Sequence, residues 1–304
     1  MPRDDHGQPF GAGVVADGGR ADRPAAPRRR ALLTASSAWL AGGVLPGLFT
    51  ARPAAAADAV AGSRVALVIG NGAYRSAPLK NPVRDAEAVA ASLQALGYEV
   101  VLRRNTDLRG MIEALREFSV RASRSAVRLL FYAGHGIQAK GRNYLLPVDT
   151  EPQSEDDIAA KAADVGEFID RLTAIKHGLN IVVLDACRVN PFAGGVIVGP
   201  DGRRFKFRGM TPAGLAPLDA PVGTLVAFST APNGIALDGP SGEHSIYAKH
   251  LLANLPTPGL PVEQLFKRVR IGVASETSRV QVPWESSSLT TDFCFKADPK
   301  GQCG

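Results

Sequence analysis

The sequence predicts an α/β fold with a mostly parallel central sheet and helices on both faces. Apolar runs at 64–70, 98–102, 127–133 and 180–185 read as strands buried on both sides. Helical-period stretches alternate with them, which is the pattern of parallel strands joined by crossover helices. The carboxyl ends of those strands, where such sheets bind ligands, carry Asn71-Gly72, Gly134-His135-Gly136 and Ala186-Cys187.

The elements follow in order. Residues 64–70 form an apolar strand ending in Gly70. In 81–96, Ala86, Val89, Ala90, Leu93 and Leu96 share one helical face, and Gly97 stops the helix. A strand at 98–102, a helix at 108–122 and a strand at 127–133 come next. Residues 143–147 are short and extended. A helix at 165–174 leads to the strand at 180–185. Residues 188–222 are dominated by Pro, Gly and Arg without periodicity, and read as an exposed loop. Structure resumes with a strand at 223–230 and helices at 245–253 and 262–275.

Composition narrows the class. With 304 residues, 45% hydrophobic and 21% charged, the chain can bury a sizeable core. Three cysteines are too few for a disulfide-built scaffold. The net charge of +6 is spread out: residues 1–57 hold seven Arg against four Asp, half of the excess. No basic stripe is interleaved with aromatics, which are 6% of the chain, so no nucleic-acid partner is expected.

Residues 1–57 read as an export signal of the twin-arginine type. Arg28-Arg29-Arg30 precedes a mildly apolar Ala/Leu/Gly run that ends in Ala54-Ala55-Ala56-Ala57. Cleavage near Ala57 would give an exported bacterial protein, periplasmic or secreted; a plain tail or a retained anchor is the alternative. No later segment has 18 uninterrupted apolar residues, so no membrane span is expected in the mature form.

Cys187 and His135 carry the chemistry. Each follows an apolar strand, and His135 lies 52 residues upstream between two glycines. A cysteine nucleophile needs a thiolate, and an imidazole supplies its base or ion-pair partner. Alone, either residue would more often be a small core residue or a satisfied core histidine. The shared position at strand ends and the flanking glycines favour a Cys–His dyad.

Four motifs resemble those of the caspase-like cysteine peptidases, above all the bacterial relatives of the metacaspases. Tyr132-Ala133-Gly134-His135-Gly136 is similar to the family's histidine motif and Asp185-Ala186-Cys187-Arg188 to its cysteine motif. Phe228-Ser229-Thr230-Ala231-Pro232 resembles the strand lining the substrate cleft, and Pro283-Trp284-Glu285-Ser286-Ser287 the closing segment. The resemblance runs from about Arg64 to Phe295. It implies a caspase-like three-layer fold over 58–295, with a large-subunit-like part at 64–189, a loop at 190–222, a small-subunit-like part at 223–295 and a tail at 296–304. It also implies a cysteine endopeptidase in which Cys187 attacks the carbonyl and His135 stabilises the thiolate and protonates the leaving amine. The N–H groups of Gly136 and Cys187 would form the oxyanion hole.

Asp85 and Asp185 stand where metacaspases place the acids of their primary specificity pocket. Two carboxylates there would select Arg or Lys before the scissile bond, Arg in a bidentate grip. Asp85 also fits as an exposed carboxylate at a helix start. Ser229, by resemblance, would touch the substrate backbone. Arg203, Arg204, Lys206 and Arg208 are candidate self-cleavage sites in the loop. No cofactor is expected. Many metacaspases respond to calcium, but Glu151, Glu155, Asp156 and Asp157 lack an ordered calcium-loop spacing and read as a solvated face. His177, His244 and His250 lack zinc spacing. Cys294 and Cys303 can pair as a disulfide or remain thiols. A dinucleotide fingerprint at 70–75 fails because its third glycine position is Arg75. Two rivals remain: a caspase-fold binding or scaffold protein with vestigial chemistry, and another class of Cys–His hydrolase or acyltransferase.

Overall fold

A computed structural model of the chain describes residues 62–75, 77–150, 152, 155–187, 196–198, 204–206, 215–232, 234 and 236–303; for Glu155, Cys187, 196–198 and 204–206 it describes the backbone alone. The export signal expected in 1–57 and the processing sites Arg203 and Arg208 lie outside these residues.

The apolar runs form the strands β1 (Arg64–Gly70), β2 (Tyr98–Arg104), β3 (Val127–Ala139), β6 (Leu179–Cys187) and β9 (Thr224–Phe228). Two short strands, β4 (Arg142–Leu145) and β5 (Ala163–Asp164), lie between β3 and β6, and β10 (Trp284–Ser287) closes the series. Among the described residues the sheet runs β10-β9-β6-β3-β1-β2, with β4 and β5 added on β3. Its central pairings are parallel; β10 and β4 join antiparallel.

Alternate residues of each strand enter opposite cores. Ala66 and Val68 of β1 face α1 (Pro82–Ala95), α5 (Ile246–Asn254) and α6 (Val262–Glu276). Val65, Leu67 and Ile69 face α2 (Leu108–Ala122) and α4 (Val165–Thr173). This is the three-layer fold that the sequence predicts. Each fully buried aliphatic side chain contributes about 1.5–3 kcal/mol relative to exposure, so β1, with six of its seven residues buried, anchors the sheet.

Helix starts follow their caps. Asp107 Oδ1 accepts from Gly110 N at 2.7 Å and opens α2; Asp164 Oδ1 accepts from Gly166 N at 2.7 Å and opens α4. Asn81 precedes α1 but makes no capping bond. Its side-chain amide is turned instead to the carbonyls of Asp238 and Pro240.

Three departures from the sequence reading stand out. β3 does not stop at Ala133: it continues through the glycines to Ala139, paired with β6 as far as His135 and with β4 beyond. A short helix α3 (Glu155–Lys161) forms in the acidic stretch, where Lys140 pairs with Asp156 and Lys161 with Asp157. Within the segment read as loop, Val196–Val198 (β7) and Arg204–Lys206 (β8) pair as an antiparallel ribbon. At the C-terminus Cys294 and Cys303 are joined as a disulfide, with Cα atoms 5.5 Å apart. No helix among the described residues is long and apolar enough to cross a membrane.

Candidate active site

β3 and β6 run side by side, and their register sets His135 directly opposite Cys187. Two steps earlier Ala133 faces Asp185. The dyad candidates and one pocket carboxylate thus come from rungs two apart on one ladder.

His135 is buried, and its ring is fixed. Nε2 lies 2.7 Å from the carbonyl oxygen of Ala77. A carbonyl only accepts, so Nε2 carries the proton and Nδ1 the lone pair. Nδ1 is buried and has no hydrogen-bond partner among the described residues. Burial pushes the imidazole down to about 4, against the opposing pull of the Ala77 carbonyl. Burial therefore holds the histidine neutral, with its lone pair on Nδ1. The group that orients it is a main-chain carbonyl, which leaves no residue signature in the sequence.

The backbone of His135 is clamped as well. Its N–H donates to the hydroxyl of Tyr74 at 2.9 Å, and its carbonyl accepts from Tyr132 Oη at 2.8 Å. The two phenols are 3.0 Å apart, and both lie 3.0 Å from the Leu146 carbonyl. The Tyr74 ring sits 4.4 Å from the imidazole, centroid to centroid. Gly134 fits beneath them: a Cβ there would meet both phenol oxygens at 2.7 Å. Gly136, the oxyanion candidate, is the β4 partner of Leu145, and a Cβ on it would come within 3.0 Å of Ala186 Cβ.

A cleft beside Gly134 is lined by Asp85, Asp185, Asp238 and Ser245 and holds about 260 Å³ of space, its open mouth included. Asp85, in the first turn of α1, is buried rather than exposed. Its Oδ1 lies 2.7 Å from His244 Nδ1, and both its oxygens accept the Ser245 N–H at 3.2–3.3 Å. Asp185 Oδ2 accepts from Ser245 Oγ at 2.5 Å. Burial raises both carboxyls to about 7; the Asp238 charge adds to this for Asp85, and the Asp85 charge for Asp185. Asp238, which sequence reasoning missed, is also raised by burial, while N–H groups of Lys80 and Asn81 hold it down. It lies in an aperiodic stretch and is brought in by the Asn81 amide, so no spacing announces it.

Ser229 is fully buried. Among the described residues its Oγ makes no hydrogen bond of normal geometry, yet it stands close enough to Asp185 to favour the ionised carboxylate. The Gly70–Arg75 run is also accounted for. Its Gly72 and Ala73 N–H groups donate to Asn105 Oδ1 at 2.9 and 3.0 Å, which uses the amides that a phosphate would need. A larger cleft opens near Arg64, Ser92 and Lys296, at the far end of β1 from these residues. Among the described residues no group of three or more His, Cys, Asp or Glu gathers as a metal site. The acidic stretch at 155–161, with Asp156 and Asp157 paired to lysines, does not fit a calcium loop, and no step is assigned to calcium.

A parallel α/β sheet with histidine and cysteine on facing rungs, beside an acidic cleft, is the frame of a cysteine-peptidase type of hydrolase. The caspase domain profile matches residues 63–294, and the chain belongs to that family. Two curated relatives are similar over 131 residues, or 42% of this chain: mucosa-associated lymphoid tissue lymphoma translocation protein 1 of Homo sapiens at 32% identity, and its Mus musculus homolog at 31%. The match spans 15% of each relative's length. The family is one of cysteine-type peptidases, whose substrates are proteins.

Proposed function

We propose that this chain is a cysteine endopeptidase that cleaves after Arg or Lys. The observation that carries the proposal is the cleft in which Asp85, Asp185 and Asp238 converge, two rungs from the His135–Cys187 pair. A guanidinium or ammonium group entering it meets carboxylates withdrawn from water, where opposite charge is worth most. An aspartate side chain would meet like charge.

In the proposed reaction the Cys187 thiol gives its proton to His135 Nδ1, and the sulfur attacks the scissile carbonyl carbon. The Gly136 and Cys187 N–H groups hold the oxyanion. His135 then protonates the leaving amine as the C–N bond breaks, and water hydrolyses the thioester. The lone pair left on His135 Nδ1 by the Nε2–Ala77 bond supports this order, because it gives the thiol proton a place to go before the amine needs it. Ser229 is assigned to the floor behind Asp185, through which it would shape the substrate cleft.

Export through a twin-arginine-type signal belongs to the same proposal. It is supported by the Cys294–Cys303 disulfide, since such bonds persist in oxidising compartments. Mass spectrometry of the exported protein should begin at Asp58.

The test is the full chain and its Cys187→Ala variant on fluorogenic peptides ending in Arg, Lys or Asp, with and without calcium. Cleavage after Arg or Lys, lost in the variant, is expected. Cleavage after Asp would overturn the pocket. No cleavage and no thiol labelling by an Arg-bearing electrophile would favour a binding or scaffold role.

A further inference from the structure

One residue touches two of the three acids that line the cleft, Asp85 and Asp185. Ser245 is the N-cap of α5. Its Oγ accepts from Ala248 N at 2.9 Å, so the hydroxyl proton is free to point elsewhere, and it points to Asp185 Oδ2 at 2.5 Å. Its backbone N–H, one of the donors that a helix leaves unused at its start, goes to Asp85. Asp85 and Asp185 come from different elements, α1 and β6, and Ser245 ties both to the positive end of the α5 dipole.

We propose that Ser245 is the specificity-positioning residue of the cleft, holding Asp85 and Asp185 apart and in the ionised form that receives a cationic side chain. The assignment rests on the Arg/Lys reading above. Two neighbouring buried carboxylates repel, and without a counter-charge one of them retains a proton. A hydroxyl proton directed at Asp185 opposes that, because hydrogen bonds to the charged form favour it. The other groups facing the pair are Asp238, which works against ionisation, and Arg84, Ser229 and His244. The Tyr247 hydroxyl is buried near Asp185, has no hydrogen bond among the described residues and is itself held neutral. Ser245 is thus the residue that donates to both carboxylates at once.

Glycine caps a helix nearly as well as serine, so Ser245→Gly removes the hydroxyl with little effect on α5. Ser245→Thr keeps the hydroxyl. Two readouts are taken. In the Cys187→Ala background, carboxyl-carbon NMR follows the titration of Asp85 and Asp185 with no need for turnover. Ser245→Gly should raise the midpoint of the pair, and Ser245→Thr should restore it. In the active protein, Ser245→Gly should lower kcat/KM for Arg peptides at neutral pH by about 10- to 100-fold. The loss should fall mainly on KM, shrink at alkaline pH and be reversed by Ser245→Thr.

An unchanged titration midpoint in Ser245→Gly would overturn the proposal whatever the peptides do. So would an equal loss of kcat at every pH, which marks a merely structural role. If the titration shifts as stated but the parent cleaves neither Arg nor Lys peptides, Ser245 tunes the acids and the substrate reading is what fails.

Discussion

The hydroxyl of Tyr74 accepts the backbone N–H of His135 at 2.9 Å while its ring packs against the imidazole of the same residue. One side chain therefore fixes both the main chain and the ring plane of the candidate base. Tyr74→Phe keeps the ring and removes the acceptor, leaving a buried N–H unpaired at a cost of about 1–3 kcal/mol. The expected outcome is a fall in kcat of about 10-fold with KM little changed, worth about 1.4 kcal/mol. An unchanged kcat, with stability lowered, would confine the hydroxyl to a folding role.

The acidic cleft should make the protein less stable as pH rises. Burial raises Asp185 from 3.8 to about 7, so between those values the folded state binds more protons than the unfolded one. Stability falls with pH across that window and levels off above it. Asp185→Asn keeps the shape and abolishes the charge. Its melting temperature should exceed that of the parent by a margin that widens from pH 4 to 7, while Arg and Lys cleavage is lost. A margin independent of pH would mean that the carboxyl titrates normally.

Gly134 and Gly141 both have positive φ, at 153° and 76°. They should respond differently to alanine. At Gly141 nothing lies within 4 Å of a Cβ, so only backbone strain of about 1 kcal/mol is expected. At Gly134 the new methyl meets two phenol oxygens that hold His135. Gly134→Ala should cost about 1–3 kcal/mol more and remove activity. Parallel thermal melts of the two variants decide it, and equal losses would exclude the clamp.

Cys294 and Cys303 close a short loop with a sequence separation of 9. On chain-entropy grounds the bridge contributes about 2–3 kcal/mol. Cys303→Ser should lower the melting temperature under oxidising conditions and make it insensitive to reductant. A melt that already ignores reductant in the parent would show that the bridge contributes little.

Much of the fold was legible because its strands are apolar on both faces and its helices periodic. Val65 to Ile69 and the Ala86–Leu93 stripe announce themselves. Less visible were α3, whose seven residues offer a polar, acidic surface, and β10, a half-exposed edge strand of four residues. The glycines around His135 read as a strand end. Gly134 is where β3 passes under two tyrosines, and Gly136 where it packs closely on Ala186 and Leu215, with no side chain in the way at either. Cys187, His135, Asp85 and Asp185 could be named from motifs as candidates, since the proposed chemistry asks for those residue types. Ala77, Asp238 and Ser245 could not be named as parts of the site. Ala77 acts through its backbone, Asp238 arrives on an irregular segment, and Ser245 reads only as the start of a helix.

The ladder between β3 and β6 has a consequence for control. Neighbouring strands stand about 4.8 Å apart wherever they are hydrogen-bonded, and His135 and Cys187 are the final rung of such a pairing. Their backbone separation is thus a property of the sheet, as stiff as the core beneath it. In the proposed enzyme the two backbones that carry the pair would need no assembly. Control would then fall on traffic into the cleft, with the frame beneath it left as it is.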